Sequence, residues 1–247
     1  MELPEKSLPQ TVHEGLLTFY GPQGWWPLLQ RAGEMGFDAE GYHPGFDFSP
    51  GPPEQFEIAT GAVLTQNTGW NNVRMSLHRL LEYLRTHELS FLPDSIKHME
   101  LPVLADLIRS SGYYNQKARK LKILAEFFSS TRGIPEREDL LRLWGIGPET
   151  ADSILLYGHG RPFFVVDAYT VRIFSRLSGL FLKSPHWYEV LQNFFQNNLD
   201  PLPELYAEFH ALLVRLGKDY CRSGSPNCGE CPLKYICNSV EKSKIVS

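Results

Sequence analysis

Polar and apolar positions along this 247-residue chain fall into a succession of helical patterns. From Pro53 to Gln66, the residues Phe56, Ile58, Ala59, Ala62, Val63 and Leu64 are dense enough for a nearly buried helix, closed by the polar break Gln66-Asn67-Thr68-Gly69. From about Trp70 to Arg85, Val73, Leu77, Leu80, Leu81 and Leu84 recur on one helical face. Pro93-Asp94-Ser95 and Leu101-Pro102 open two shorter helices, the second ending near Ser111-Gly112. Residues 115–130 predict a basic amphipathic helix, and further helices follow over about 168–178, 185–197 and 203–217. Near the start, residues 10–35 predict two short helices interrupted by Gly21-Pro22-Gln23-Gly24, the second opened by Trp25-Trp26-Pro27. Residues 38–53, rich in Gly, Pro and aromatics, predict a crossover loop. No alternating run is long enough for a strand, so the expected class is all-α.

Composition narrows the picture. A 43% hydrophobic chain of this length fills one large core or two modest ones. A net charge of −4 is not that of a general nucleic-acid binder, so any such binding needs a local basic face. The opening MELPEKSLPQ lacks a signal pattern and no apolar run reaches membrane-spanning length, which predicts a soluble, cytoplasmic protein without a membrane partner. All four cysteines, Cys221, Cys228, Cys231 and Cys237, lie in one C-x6-C-x2-C-x5-C cluster. In a reducing compartment this reads as a metal site rather than a disulfide frame. Four thiolates can wrap one tetrahedral ion or one cubane cluster, and spacing alone permits zinc.

The chemistry concentrates between Leu143 and Arg176. Gly145-Ile146-Gly147-Pro148 is a tight hairpin signal opening a helix, with amide N–H groups suited to a phosphate oxygen. After a turn at Gly158-His159-Gly160, the apolar run Phe163-Phe164-Val165-Val166 delivers Asp167 to the start of another helix. This run resembles the helix-hairpin-helix and Gly/Pro-Asp signature of the endonuclease III superfamily of DNA glycosylases.

The resemblance implies two helical lobes with a DNA cleft between them. One is a six-helix barrel over about 51–164; the other combines residues 1–50 with 165–247. It implies that Gly145 and Gly147 hold the backbone of double-stranded DNA carrying a damaged base, and leaves room for a monovalent cation at the hairpin. Asp167 would be the catalytic carboxylate of a monomeric enzyme. Bifunctional members carry a nucleophilic lysine where this chain has Glu149, and Glu149 has no amine to attack C1′, so strand-cleaving lyase activity is not expected. The cysteine cluster resembles the family's [4Fe–4S] loop. Gln66, beside Asn67, resembles the residue that fills the gap left by a flipped nucleotide, and Tyr113 the one set against the unpaired partner base, both on the side opposite the hairpin. Lys117 beside them is expected at a phosphate, and Lys120 after it. Arg172 and Arg176 are open to phosphates or to acidic neighbours.

Trp25-Trp26-Pro27, GAVLTQNTGW and SGYYNQKA together resemble the 3-methyladenine glycosylases of the endonuclease III type, in which such aromatics sandwich the flipped base. Trp25, Trp26, Trp70 and Lys218 are thus the expected base pocket, with π faces suited to a cationic alkylpurine. The best-known of those enzymes lacks an iron–sulfur loop, which this chain carries. Two other readings stand beside it: a mismatch thymine/uracil or oxidised-pyrimidine glycosylase, and a non-enzymatic DNA-binding module with a structural metal.

Overall fold

The computed structural model describes residues 5–179 and 187–239, and every regular element among them is helical. No helix among the described residues is long and apolar enough to cross a membrane. The chain divides into two compact units, Trp26–Arg161 and Met1–Trp25 with Pro162–Ser247. The expectation from sequence drew the lines at 51 and 164, so residues 26–50 here belong with the unit that follows them in the chain.

The unit Trp26–Arg161 is built on α2 (Pro52–Leu64), whose residues from Phe56 to Leu64 are all buried. Around it lie α3 (Trp70–Thr86), α4 (Pro93–His98), α5 (Leu101–Leu107) and α6 (Tyr114–Ser130). Then come α7 (Arg137–Leu141) and α8 (Pro148–Ser153), which runs on into a π-helical turn, Ile154–Gly158. The helices expected from apolar spacing are present because each has one face to bury; on α3 that face is Val73, Leu77, Leu80, Leu81 and Leu84.

The second short helix expected within residues 25–35 is absent; only a 3-10 turn, Leu29–Arg31, forms there. Gly24, Gly33, Gly36 and Gly41 all have positive φ, which breaks the pattern. Side chains order this segment instead. Buried Glu57 on α2 accepts the backbone N–H groups of Leu29 (2.6 Å) and Gln30 (3.2 Å) and the Gln30 amide (2.9 Å). The Arg31 guanidinium pairs with Glu34 and Glu54 and lies over the rings of Phe37 and Phe48. These contacts hold residues 29–37 to α2, and reach the Gly- and Pro-rich stretch at Phe48.

The other unit packs α1 (Leu8–Tyr20), α9 (Ala168–Ser178), α10 (Trp187–Gln196) and α11 (Pro203–Asp219) around an aromatic core. Phe164 stacks on Phe195 at 4.0 Å, with Phe174, Tyr206 and Phe209 edge-on to one or the other. Among the described residues the extended run before α9 has no strand partner; Gln196 accepts from Phe164 N and Gln192 donates to Phe164 O. The expected start of α10 at 185 lies outside the described residues. Gly217 lets α9 and α11 meet: a Cβ there would come within 2.2 Å of the Tyr169 ring.

Candidate active site

Asp167 is the N-cap of α9, and burial leaves it 8% exposed. Its Oδ1 accepts from Thr170 N and from Thr170 Oγ1, both at 2.8 Å. Its Oδ2 faces the buried His210 of α11, whose Nε2 is 3.7 Å away. Burial pushes the Asp167 carboxyl up. His210 and the two Thr170 bonds more than offset this, so the group is held below the ordinary carboxylate range and is ionised at neutral pH. Trp25 stands edge-on to His210, with ring centroids 5.8 Å apart, and the Lys218 ammonium lies 6.0 Å from the Trp25 ring centre. Burial lowers the Lys218 ammonium, while the negative charge of Asp167 acts to raise it. One helix, α11, thus brings His210 and Lys218 to the carboxylate and the indole. Glu208, also on α11, fixes the Trp25 loop by accepting from Gln23 N at 2.7 Å.

The cysteine loop follows α11. Arg172 Nε donates to Cys221 O (2.7 Å), and Arg176 donates to Cys221 Sγ (3.2 Å) and to Arg222 O (2.8 Å). Both arginines therefore clamp the loop rather than meeting acidic neighbours. All four cysteines are thiols rather than disulfides and are half-buried. Burial, and then the neighbouring thiols of Cys221, Cys237 and Cys228, push the Cys231 thiol up to about 11. Among the described residues, no three His, Cys, Asp or Glu side chains gather around one ion-sized point. Three thiols close enough to act on that of Cys231, with a guanidinium against the Cys221 sulfur, are the donor chemistry of a thiolate-bound centre.

In the unit Trp26–Arg161, the structure brings together three segments expected at DNA. Gln66 Nε2 donates to Gly145 O (3.0 Å) and Thr150 Oγ1 (2.9 Å), and Lys120 Nζ donates to Gln66 Oε1 (2.5 Å). The Gln66 loop is thus bonded to the hairpin, not opposite it. Thr68 Oγ1 donates to Ser111 O, which joins the Gln66 and Tyr113 loops. Asn67 (φ 52°) and Tyr113 (φ 47°) both have left-handed backbone. For tyrosine this is strained, and such strain clusters at functional sites. Tyr113 is also 70% exposed.

Lys117 is placed otherwise than expected. It is 2% exposed, and its ammonium donates to Leu64 O, Thr68 Oγ1 and Ser111 O at 2.7–2.8 Å. It ties the two loops together from beneath instead of reaching a phosphate.

At the hairpin, Gly145 (φ 82°) is the glycine whose backbone demands it, and a Cβ there would come within 2.4 Å of Lys120 Cε. Gly147 is exposed, and a Cβ there would meet nothing within 4 Å, which leaves its surface open to close approach. A bidentate ion pair from Arg137 Nε and Nη2 to the fully buried Asp152 (2.6 and 3.0 Å) locks α7 to α8 across the hairpin. Glu149 is exposed in the first turn of α8, where a negative charge favours the helix dipole. Trp26 and Trp70 meet edge-to-face, at 5.7 Å and 85°, and Tyr157 also packs on Trp26, with ring centroids 5.2 Å apart. Set so, these two rings do not form a parallel slot for a base.

His210 escaped the sequence reading; its spacing from Lys218, about two turns apart on one predicted helix, was the available signal. Lys120, a candidate for a phosphate, instead turns its ammonium to Gln66 Oε1.

A profile of the HhH-GPD superfamily of base excision DNA repair proteins matches residues 60–196. The chain belongs to that superfamily. This HhH-GPD protein is 35% identical to a provisionally named DNA repair glycosylase of Methanocaldococcus jannaschii, over 92% of this chain and 94% of that one. An endonuclease III trapped as a covalent intermediate with DNA shares its fold, at TM-score 0.71 and 20% identity over 98% of this chain and 100% of that one. The H. pylori 3-methyladenine DNA glycosylase bound to 1,N6-ethenoadenine matches with TM-score 0.63 and 28% identity, over 86% of this chain and 96% of that one. The HhH-GPD protein is thus an endonuclease III-like DNA glycosylase of base excision repair.

Proposed function

We propose that the protein hydrolyses the N-glycosidic bond of a flipped, alkylated purine in double-stranded DNA, with 3-methyladenine its first substrate, and does not cleave the strand. The observation that carries this reading is Asp167: a buried, ionised carboxylate with one oxygen spent on capping α9 and the other turned to the Trp25–His210–Lys218 group. Such a carboxylate stabilises positive charge developing on the sugar and helps water reach C1′. Glu149 offers no amine for a Schiff base. A base alkylated to a cation leaves readily, which suits a site with little machinery to activate the leaving group. The exposed, strained Tyr113 and the Gln66 loop support a role beside the extruded nucleotide. Gly145 and Gly147 would meet the DNA backbone.

Cys221, Cys228, Cys231 and Cys237 would hold a [4Fe–4S] cluster that folds the loop clamped by Arg172 and Arg176. The cluster supplies structure here, since glycosidic hydrolysis needs no electron transfer.

The deciding experiment compares base release from duplexes carrying 3-methyladenine, uracil opposite guanine, or thymine glycol, with borohydride trapping in parallel. Release of 3-methyladenine without a trapped adduct is expected, and Asp167→Asn should lower the rate by orders of magnitude while still binding abasic-site DNA. Release of uracil or thymine glycol alone would overturn the alkylpurine reading. A trapped adduct would overturn the assignment as monofunctional.

A further inference from the structure

A buried carboxylate that must stay ionised needs a partner for each oxygen. In this chain Thr170 occupies Oδ1 twice, through its N–H and its hydroxyl. The Nε2 of His210 faces Oδ2 at 3.7 Å. His210 is 4% exposed on α11 and has the edge of Trp25 against its ring. The separation is longer than a formed hydrogen bond and within ion-pair range, and contacts of this kind are often long in ligand-free enzymes. In either state, imidazolium or neutral ring with its proton on Nε2, the histidine presents positive charge to Oδ2. Among the described residues, the Lys218 ammonium, on the same helix, is a further charged group that interacts with Asp167.

From this geometry we infer that His210 is a positioning residue for base excision: it orients Oδ2 of Asp167 toward the reacting sugar and keeps the carboxylate ionised. The inference rests on the assignment of Asp167 as the reacting carboxylate. Its physical content is a division of labour between two helices. The first turn of α9 fixes one oxygen as a cap, and α11 sets the direction and charge of the other. Without His210, burial would push the carboxyl up, and the second oxygen would be free to rotate with the side chain's remaining freedom. Lys218 would not replace it, since its ammonium sits over the Trp25 ring, 6.0 Å from the ring centre.

The test is single-turnover release of 3-methyladenine from duplex DNA as a function of pH, for the wild type, His210→Gln, His210→Leu and Asp167→Asn. In wild type the rate falls on the acid side as Asp167 is protonated. His210→Leu should move that acid limb upward by about one pH unit, the low end of what a lost charge or donor does to a carboxyl. It should also slow release at neutral pH by roughly tenfold or more, a part of the roughly 10²–10⁴-fold that a positioned acid–base group contributes. His210→Gln, which keeps an N–H donor of similar reach, should return the limb and most of the rate. Binding to abasic-site DNA should be equal in all variants that fold. If His210→Leu does not fold, His210→Asn, with its donor drawn back from Oδ2, is expected to show the same displaced limb. An unmoved acid limb in the donor-less or shortened variant overturns the inference, whatever happens to the rate. Retained release in Asp167→Asn would instead strike the assignment of Asp167 itself, so the two failures are distinguishable.

Discussion

Replacing Lys117 by methionine keeps the length of the side chain and removes its charge. The ammonium serves three oxygens, Leu64 O at 2.8 Å and Thr68 Oγ1 and Ser111 O at 2.7 Å each. Hydrogen bonds from a charged donor contribute roughly 1.5–3 kcal/mol each, so the three together contribute about 5–9 kcal/mol. Against this stands the cost of burying the charge. Burial, with a smaller contribution from Lys120, lowers the ammonium to about 8 from 10.5, which corresponds to roughly 3 kcal/mol at neutral pH. Ser111 O keeps a second donor in Thr68 Oγ1, which softens the loss. The net expectation for Lys117→Met is a destabilisation of about 3 kcal/mol at pH 7, read by urea denaturation. A second signature follows from the titration. Between pH 8 and 10.5 the unfolded lysine holds a proton that the folded one has released, so this group makes the wild type more stable as pH rises across that window, and the methionine variant loses the slope. The salt dependence of DNA binding should not change, because the ammonium touches no solvent-facing surface. An unchanged urea midpoint, or a salt slope smaller by about 0.9, would refute the reasoning.

Arg137→Met removes the bidentate partner of the buried Asp152 carboxylate and should cost about 3–5 kcal/mol, whereas the double change Arg137→Met with Asp152→Asn should recover part of it in the same denaturation assay. Burial raises Glu57 to about 7 against 4.5 unfolded, with the Leu29 and Gln30 N–H groups acting the other way. The folded state therefore holds the extra proton, and stability should decline by up to roughly 3 kcal/mol as pH rises from 4.5 through 7, a slope that Glu57→Gln should flatten. Gly145→Ala meets both a left-handed backbone and Lys120, and should weaken binding to damaged and undamaged duplexes alike, with about 1–2 kcal/mol lost in stability. Gly147→Ala has room and ordinary backbone, so it should fold as the wild type does, and any loss of DNA affinity would report direct approach of the backbone.

Helices with one apolar face were legible because their pattern states what they bury: α3 and α6 lie where the spacing put them. The segment after Trp26 was not, since its order comes from Glu57 and Arg31, whose partners lie across loops and leave no periodic trace. Asp167 was legible through its place after an apolar run, but the histidine opposite it sits more than forty residues on, in an unremarkable amphipathic helix. Lys117 shows the limit from the other side. In sequence it is one of several basic residues on a solvated face, and only the fold reveals that its first-turn position points it inward beneath the two loops. Edge-to-face packing of Trp26 and Trp70 likewise depends on Gly61, where a Cβ would come within 3.1 Å of the Trp26 indole.

The double use of Asp167 has a practical consequence. Because Oδ1 serves as the cap of α9 through Thr170, substitutions that remove the side chain would unsettle the helix along with the chemistry. Asparagine is different: it caps a helix about as well as aspartate, yet carries no negative charge. On the proposed reading, the Asp167→Asn protein is a folded reader of damage that locates its lesion and then stalls. Immobilised, it would serve as a bait that retains lesion-bearing fragments from sheared genomic DNA, and sequencing what it retains would chart its substrates without prior choice of a lesion.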